Sequence, residues 1–429
     1  MRTFVEWWSW PDNESEPVLT PGGTSLSSAS NPPAPSLGSS ATAAGVTPRT
    51  ILVAHPYNQL HTPVDVPLLR LRERGHRVVL WTAAPSGDLH RHYIAAGLEA
   101  HGVEQRPWPG PARHLFYARQ LASFLARHPA DIVFSHLQPM NFAAVLAHAT
   151  RLSGTPVVTF RHNAVALHRA TPALRAVGRS RKTRIIDGFL NRFADQIVAP
   201  GKAVRDLVIR EGADPAKVSV IPYAYDFDKM QRSVDPARSA ELRASFPARL
   251  RMIAVMRFVP MKRHTLLIEA LAELVRRGRD VNLTLLDRGP ELETIRALVD
   301  RLGLGDRVRF VGFSKEVLAH LASSDLVLCP SLEDASNSVI KEAGLMRRPV
   351  VVVHDVGDFD DYVSDGRNGF LVDGDAFVAR TVAAAEGLLD GSIDAAAMGL
   401  QLEQAVRARF TIRDEILDMY QALLRRAGL

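Results

Sequence analysis

Short apolar runs alternate along this chain with longer stretches in which apolar residues recur every three or four positions, and the alternation begins at Thr50. Residues 50–54, 77–81, 132–135, 156–160 and 196–199 hold too few polar positions to leave one face in water, the mark of buried parallel strands. Between them, 67–74, 114–128, 142–152, 183–194 and 202–211 carry helical spacing. Strands and helices in this order predict a doubly wound α/β domain that ends near Tyr225. The pattern then restarts, with strands expected at 251–256, 282–287, 307–311, 326–329 and 349–353 and helices at 264–277, 291–302, 315–323 and 338–347. No sequence repeat relates the two halves. The expected fold class is therefore α/β: two Rossmann-like, doubly wound parallel-sheet domains facing across a cleft. Residues 50–225 form the first and 226–410 the second, and a last helix within 411–429 returns to the first domain. A ligand of such a pair belongs in the cleft, at the carboxyl ends of the strands.

Length and composition agree with that division. A chain of 429 residues exceeds one ordinary core, and 46% hydrophobic with 23% charged residues is the make-up of a soluble globular protein. No apolar run approaches the roughly 20 residues that span a bilayer. The single cysteine, Cys329, lies in an apolar run and reads as a buried structural thiol; a disulfide within one chain is excluded. Residues 1–49, with Trp7, Trp8 and Trp10 before a Ser/Pro/Gly/Ala-rich stretch, lack the basic start and apolar core of a signal peptide and are expected to be a disordered tail. Its tryptophans read either as a weak anchor or as a dispensable extension. A cytoplasmic protein, peripheral at the inner membrane face, is the localisation expected.

Charge is unevenly spread. The net charge is +6, and from Ile132 to Ile186 there is no acid at all, while eight basic residues from Arg151 to Arg184 fall there. This region, 151–184, suits peripheral contact with an anionic membrane; a solvated basic face is the competing reading. Without interleaved aromatic residues it does not indicate a nucleic-acid partner.

Candidate chemistry concentrates after the run ending at Cys329. Ser336 and Asn337 are good N-cap residues, and Val339, Ile340, Ala343 and Met346 share one helical face, so a small-residue turn opens a helix. Free N–H groups at a helix start suit a phosphate, and the flanking acids Asp334 and Glu342 accept hydrogen bonds from hydroxyls. A ligand with phosphate and many hydroxyls is a nucleotide sugar. Upstream, Arg257 and Lys262 flank the loop before the helix at 264–277, where a guanidinium fork and a compact ammonium can clamp a departing diphosphate.

Residues 257–273, 287–292, 307–313, 330–353 and 368–372 together resemble glycosyltransferase family 4, the retaining GT-B enzymes; the first domain is similar more loosely, through 157–163, 191–199 and 217–222. The resemblance implies a retaining transfer of a sugar from a nucleoside-diphosphate sugar to a hydroxyl acceptor, in glycan, glycolipid or glycoconjugate synthesis, with no cofactor and no metal required. By the same resemblance Arg257 and Lys262 bind the diphosphate, Glu342 holds the ribose, and Asp334 contacts the donor sugar. Ser336, Asn337 and Ser338 approach sugar and phosphates, and backbone at Val311, Gly312 and Phe313 meets the base. His162 reaches the sugar near its reacting carbon. His55, Asn58 and His61 are candidates for the acceptor side. The chain departs from the family at Asp334, where the first motif acid is usually Glu, so neighbouring Glu333 is an alternative. It also lacks the paired glycines in the 55–61 loop and has Tyr223-Ala224-Tyr225-Asp226 in place of Asn-Gly-Val-Asp. A GT-B epimerase or phosphorylase and a non-catalytic sugar-nucleotide or glycan binding module are the rival functions.

Overall fold

The computed structural model describes residues 47–58, 62–103, 112–162 and 181–429. Nearly all of the tail, His61 and much of the basic region 151–184 lie outside the described residues. Two parallel sheets carry the fold. The first comprises β1 (Thr50–His55), β2 (Arg77–Thr82), β3 (Glu99–Gly102), β4 (Ile132–His136), β5 (Val157–Phe160), β6 (Gln196–Ala199) and β7 (Val218–Val220), in the spatial order β3-β2-β1-β4-β5-β6-β7. The second holds β8 (Leu250–Val255), β9 (Val281–Leu286), β10 (Val308–Gly312), β11 (Leu326–Cys329), β12 (Val350–Val353) and β13 (Phe370–Val372), ordered β10-β9-β8-β11-β12-β13.

Central strands are buried along their whole length, which is why they read as unbroken apolar runs: β4, β5 and β12 expose no residue. In each sheet the first strand lies between neighbours reached by opposite turns of the chain. Ile51 of β1 faces both Val78 and Ile132, and Met252 of β8 faces both Leu283 and Leu326. Such a switch point opens a crevice at the carboxyl ends of the strands.

Several elements were not expected from the pattern. β3, with sequence Glu-Ala-His-Gly, is a half-exposed edge strand and so has no apolar run. The helices Asp88–Ala95, Phe227–Arg232, Pro236–Ser245, Phe377–Asp390 and Ala395–Phe410 also appear, as do the short strands β7 and β13. The helix Ala395–Phe410 crosses Ser338–Leu345 through small residues: a Cβ on Gly399 would fall 2.1 Å from the Arg347 carbonyl oxygen, and one on Gly344 2.8 Å from Val406. Close crossing at glycines replaces the broad apolar stripe by which a helix is usually read.

The last helix, Asp414–Arg426, lies on the first domain. Its Tyr420 ring sits 6.1 Å from Phe134 of β4 and 6.0 Å from Phe160 of β5, and Gln196 donates a 2.7 Å hydrogen bond to the Leu423 carbonyl. The two chain crossings between the domains run side by side: the Tyr225 N–H donates to Phe410 O at 2.8 Å, and the Ile412 N–H donates to Tyr225 O at 2.9 Å.

Candidate active site

A cavity of about 450 Å³ opens between the two sheets. Every wall comes from a carboxyl strand end or the segment after it. The first domain supplies His55 and Tyr57 after β1, Leu137 after β4, His162 after β5 and Tyr223 after β7; the second supplies Val255 to Arg257, Lys262, Asp287, Asp334 and Ser336 to Val339.

The loop carrying Arg257 and Lys262 is stitched down rather than free. Phe258 donates to the Arg288 carbonyl at 3.0 Å and accepts from the Glu291 N–H at 3.0 Å. Backbone meets backbone so closely at Gly289 that a Cβ there would stand 2.4 Å from the Phe258 oxygen. Below the loop, His264 stacks on Phe258 at 4.1 Å, and burial pushes its imidazole down to about 4, so it is neutral at physiological pH. Arg263 holds a left-handed backbone (φ 47°) and donates from Nε to the Pro330 carbonyl at 2.7 Å, tying this loop to the end of β11.

Lys262 meets Asp334 directly. Its Nζ lies 2.9 Å from Asp334 Oδ2 and 3.2 Å from the Glu333 carbonyl. Burial opposes the ammonium's charge, but Asp334 and its neighbours outweigh that cost and hold Lys262 above its ordinary value. Asp334 is engaged on both oxygens: Oδ2 also accepts from Asn337 Nδ2 at 2.7 Å, and Oδ1 accepts from the Ala335 N–H at 3.1 Å. Asn337 is in turn the N-cap of the helix Ser338–Leu345, its Oδ1 accepting from the Ile340 N–H at 3.2 Å. One amide thus joins the helix start to the acid that holds the lysine.

Beneath this turn lies an ion pair that the sequence gives no local sign of. Lys341 and Asp358 are fully buried and 2.9 Å apart. Asp358 also accepts from Ser336 Oγ at 2.6 Å, and Lys341 donates to the Asn337 carbonyl at 3.1 Å. The Lys341 ammonium lies 4.5 Å from the Phe410 ring centre and 5.0 Å from that of Tyr362. Burial lowers Lys341 and raises Asp358, and their contact offsets only part of each shift.

On the opposite wall the polar atoms belong to rings. His162 Nε2 lies 2.9 Å from His136 Nδ1, and His162 Nδ1 lies 2.6 Å from the Tyr223 hydroxyl. His136 is buried and stacks on Phe160 at 4.4 Å. His55 Nδ1 lies 3.0 Å from the Tyr57 carbonyl. Behind this wall Arg161 is buried against Asp187 at 2.9 Å, with Glu211 at 3.6 Å, which anchors the end of β5.

Of the residues singled out from the sequence, Arg257, Lys262, Asp334, Ser336, Asn337, Ser338, His162 and His55 all line the cavity. Others do not. Glu342 is half-buried one turn along the helix, where burial pushes its carboxyl up to about 7. Val311, Gly312 and Phe313 close the edge strand β10, joined to the wall by the 2.7 Å bond from the Asp287 N–H to the Gly312 carbonyl. Asn58 braces its own loop, donating to Pro85 O at 2.9 Å. His61 lies outside the described residues. Cys329 is buried, with its thiol pushed up by that burial.

The comparisons with known proteins agree with this architecture. The family described as "Glycosyltransferase Family 4" matches residues 68–229, and "Glycosyl transferases group 1" matches 243–400. A D-inositol 3-phosphate glycosyltransferase of Gordonia bronchialis is 30% identical over 336 residues, 71% of this chain and 70% of that protein. The chain belongs to glycosyltransferase family 4. An alpha-D-kanosaminyltransferase of Streptomyces kanamyceticus is 31% identical over 254 residues, spanning 58% of this chain and just under two thirds (65%) of that enzyme. Among solved structures, Anabaena Alr3699/HepE in complex with UDP and glucose superposes with a TM-score of 0.71 at 21% identity, over 88% of this chain and 99% of that one. This transferase therefore has the GT-B fold. Two groups of residues with metal-ligating atoms occur among its described residues, Glu99/His101/His128 and His354/Asp355/Asp360, and neither includes a residue of the cavity wall. No helix among the described residues is long and apolar enough to cross a membrane.

Sequence reading of the transferase missed two residues. His136 occupies the end of β4 as His162 follows β5, and its place at the carboxyl end of a buried parallel strand was the available signal. For Lys341 no such signal existed, because a lysine between Ile340 and Glu342 reads as solvated.

Proposed function

We propose that this enzyme is a retaining glycosyltransferase that moves a sugar from a nucleoside-diphosphate sugar to a hydroxyl acceptor in glycoconjugate synthesis, without a metal ion. The observation that carries the reading is that Arg257, Lys262 and the start of the helix Ser338–Leu345 face one cavity with His162 on the opposite wall. The diphosphate lies against the two cations and the helix-start amides, where its growing negative charge is stabilised as the bond to the anomeric carbon breaks. Glu342 takes the ribose hydroxyls, Asp334 the donor sugar, and Val311 to Phe313 the base. Lys262 is shared between Asp334 and the incoming diphosphate, so the lysine and the acid work as one unit.

Family membership supports retention, and no covalent intermediate is invoked. Both oxygens of Asp334 already accept hydrogen bonds, and Asp287 Oδ1 accepts from the Arg288 N–H at 2.8 Å. Both acids are braced by their own turns, which suits them to hydrogen-bonding the donor rather than to forming a covalent bond with it. The acceptor oxygen instead bonds to the anomeric carbon on the face the diphosphate leaves, and a departing phosphate oxygen takes the acceptor's proton. His55 is offered to the acceptor side. The chain is placed in the cytoplasm, its basic segment 151–184 against an anionic membrane face.

Two measurements test this. Lys262→Ala is expected to lower turnover at least about 100- to 1,000-fold in a protein that remains folded; wild-type turnover in a folded variant defeats the assignment. Chelation with EDTA is expected to leave turnover unchanged, since Arg257 and Lys262 supply the positive charge; loss restored by a divalent ion overturns metal independence.

A further inference from the structure

The crossing from the first domain to the second carries Tyr223 and Tyr225, and the two phenols reach opposite sides of the cleft. Tyr223 shares a 2.6 Å hydrogen bond with His162 Nδ1, its ring 5.7 Å from the imidazole. Tyr225 shares a 2.9 Å hydrogen bond with the hydroxyl of Ser338, the first residue of the helix Ser338–Leu345. Ala224 between them is fully buried. The Tyr225 peptide is held on both sides by Phe410 and Ile412, at 2.8 and 2.9 Å. A segment pinned in this way has little slack, so a displacement at one phenol passes to the other.

His162 has little slack either. Its two ring nitrogens are engaged inside the protein, one by Tyr223 and one by His136, whose own ring is buried and stacked. The imidazole is therefore aimed by its protein neighbours before any substrate arrives.

We propose that Tyr223 and Tyr225 are positioning residues that couple the donor-binding helix start to His162, so that donor phosphates engaging Ser338 lock the imidazole in the orientation its neighbours give it. Neither phenol reacts. The tyrosines occupy the positions where the family pattern has Asn and Val, so the coupling belongs to this chain. It rests on the sugar-transfer reading of the cavity.

The test is release of nucleoside diphosphate from UDP-glucose, GDP-mannose and ADP-glucose by the full-length wild type, Tyr223→Phe, Tyr225→Phe and the double variant, with melting profiles recorded alongside. With whichever donor the wild type uses, Tyr223→Phe is expected to lower kcat about tenfold with donor KM within about twofold, because one oriented hydrogen bond is lost. Tyr225→Phe is expected to show the same loss of kcat, about tenfold, because it breaks the link to His162 at the Ser338 end. The double variant should lose no more than about twofold beyond the worse single in kcat/KM, the non-additivity of residues acting as a unit. A loss near the product of the two singles, or wild-type kinetics in either folded single, overturns the coupling while leaving the transfer reading intact. A wild type that turns over none of the three donors removes the transfer reading, and the coupling with it. If Tyr225→Phe fails to fold, Ser338→Ala removes the same contact from the helix side and must be non-additive with Tyr223→Phe. If Tyr223→Phe fails to fold, His136→Asn releases the other ring nitrogen of His162. It must then show the same kcat loss at constant donor KM, and wild-type kinetics in that variant overturn the proposal.

Discussion

The two walls of the cleft are made of different materials. On the second domain, Lys262, Asp334, Asn337, Ser336, Asp358 and Lys341 form a continuous run of charge and amide contacts from the cavity surface into the core. On the first domain, His162, His136, Phe160, Phe134 and Tyr420 form a series of packed rings, with imidazole nitrogens at the cavity end and a single phenol at the other. Charges buried in pairs hold a fixed electrostatic pattern but fail badly when one member is lost. Ring stacks give shape and tolerate loss more evenly. The second-domain wall is built for field strength, and the first-domain wall for fit.

The contrast is broken most directly at its deepest charge. Lys341→Met leaves Asp358 buried without its partner and is expected to cost about 3–5 kcal/mol, read by urea unfolding. Lys341→Met/Asp358→Leu should recover most of that loss; if the single variant is as stable as the wild type, the charged wall is not held by this pair.

A smaller effect with a distinctive pH signature is expected at Glu342. Its carboxyl is raised from an ordinary 4.5 to about 7, so between those values the folded protein keeps a proton that the unfolded chain has lost. Stability from this group is present below about 4.5 and lost as pH rises towards about 7. Glu342→Gln should match the wild type near pH 4.5 and exceed it by up to about 3 kcal/mol at pH 8, while losing donor affinity. A stability gap independent of pH sinks the assignment of a half-buried acid that keeps its proton.

The ring-built wall should yield least. Tyr420→Leu removes two aromatic contacts that tie the last helix to β4 and β5, and is expected to cost on the order of 1–2 kcal/mol with little change with salt. A loss as large as that of Lys341→Met would erase the distinction between the walls.

The same contrast explains what could be read from the sequence. The central strands of both sheets are buried runs, and apolar continuity alone marks them; β3 and the helix Ala395–Phe410 escape because an edge strand and a glycine crossing leave no such signature. Cavity residues at strand ends and at the helix start were legible as polar residues placed directly after apolar runs. Lys341 was not, since a charge 17 residues from its partner looks solvated until the fold closes over both. Tyr223 and Tyr225 were visible only as departures from a family pattern, and their partners lie 61 and 113 residues away.

The paired crossings at Tyr225 and Thr411 have a mechanical consequence. Two lobes fastened at adjacent hydrogen-bonded points cannot slide past each other or spin about a single thread; the easy motion left is rotation about the line through both fastenings. Opening of the cleft's mouth is then expected to follow that one axis, like a book on its spine.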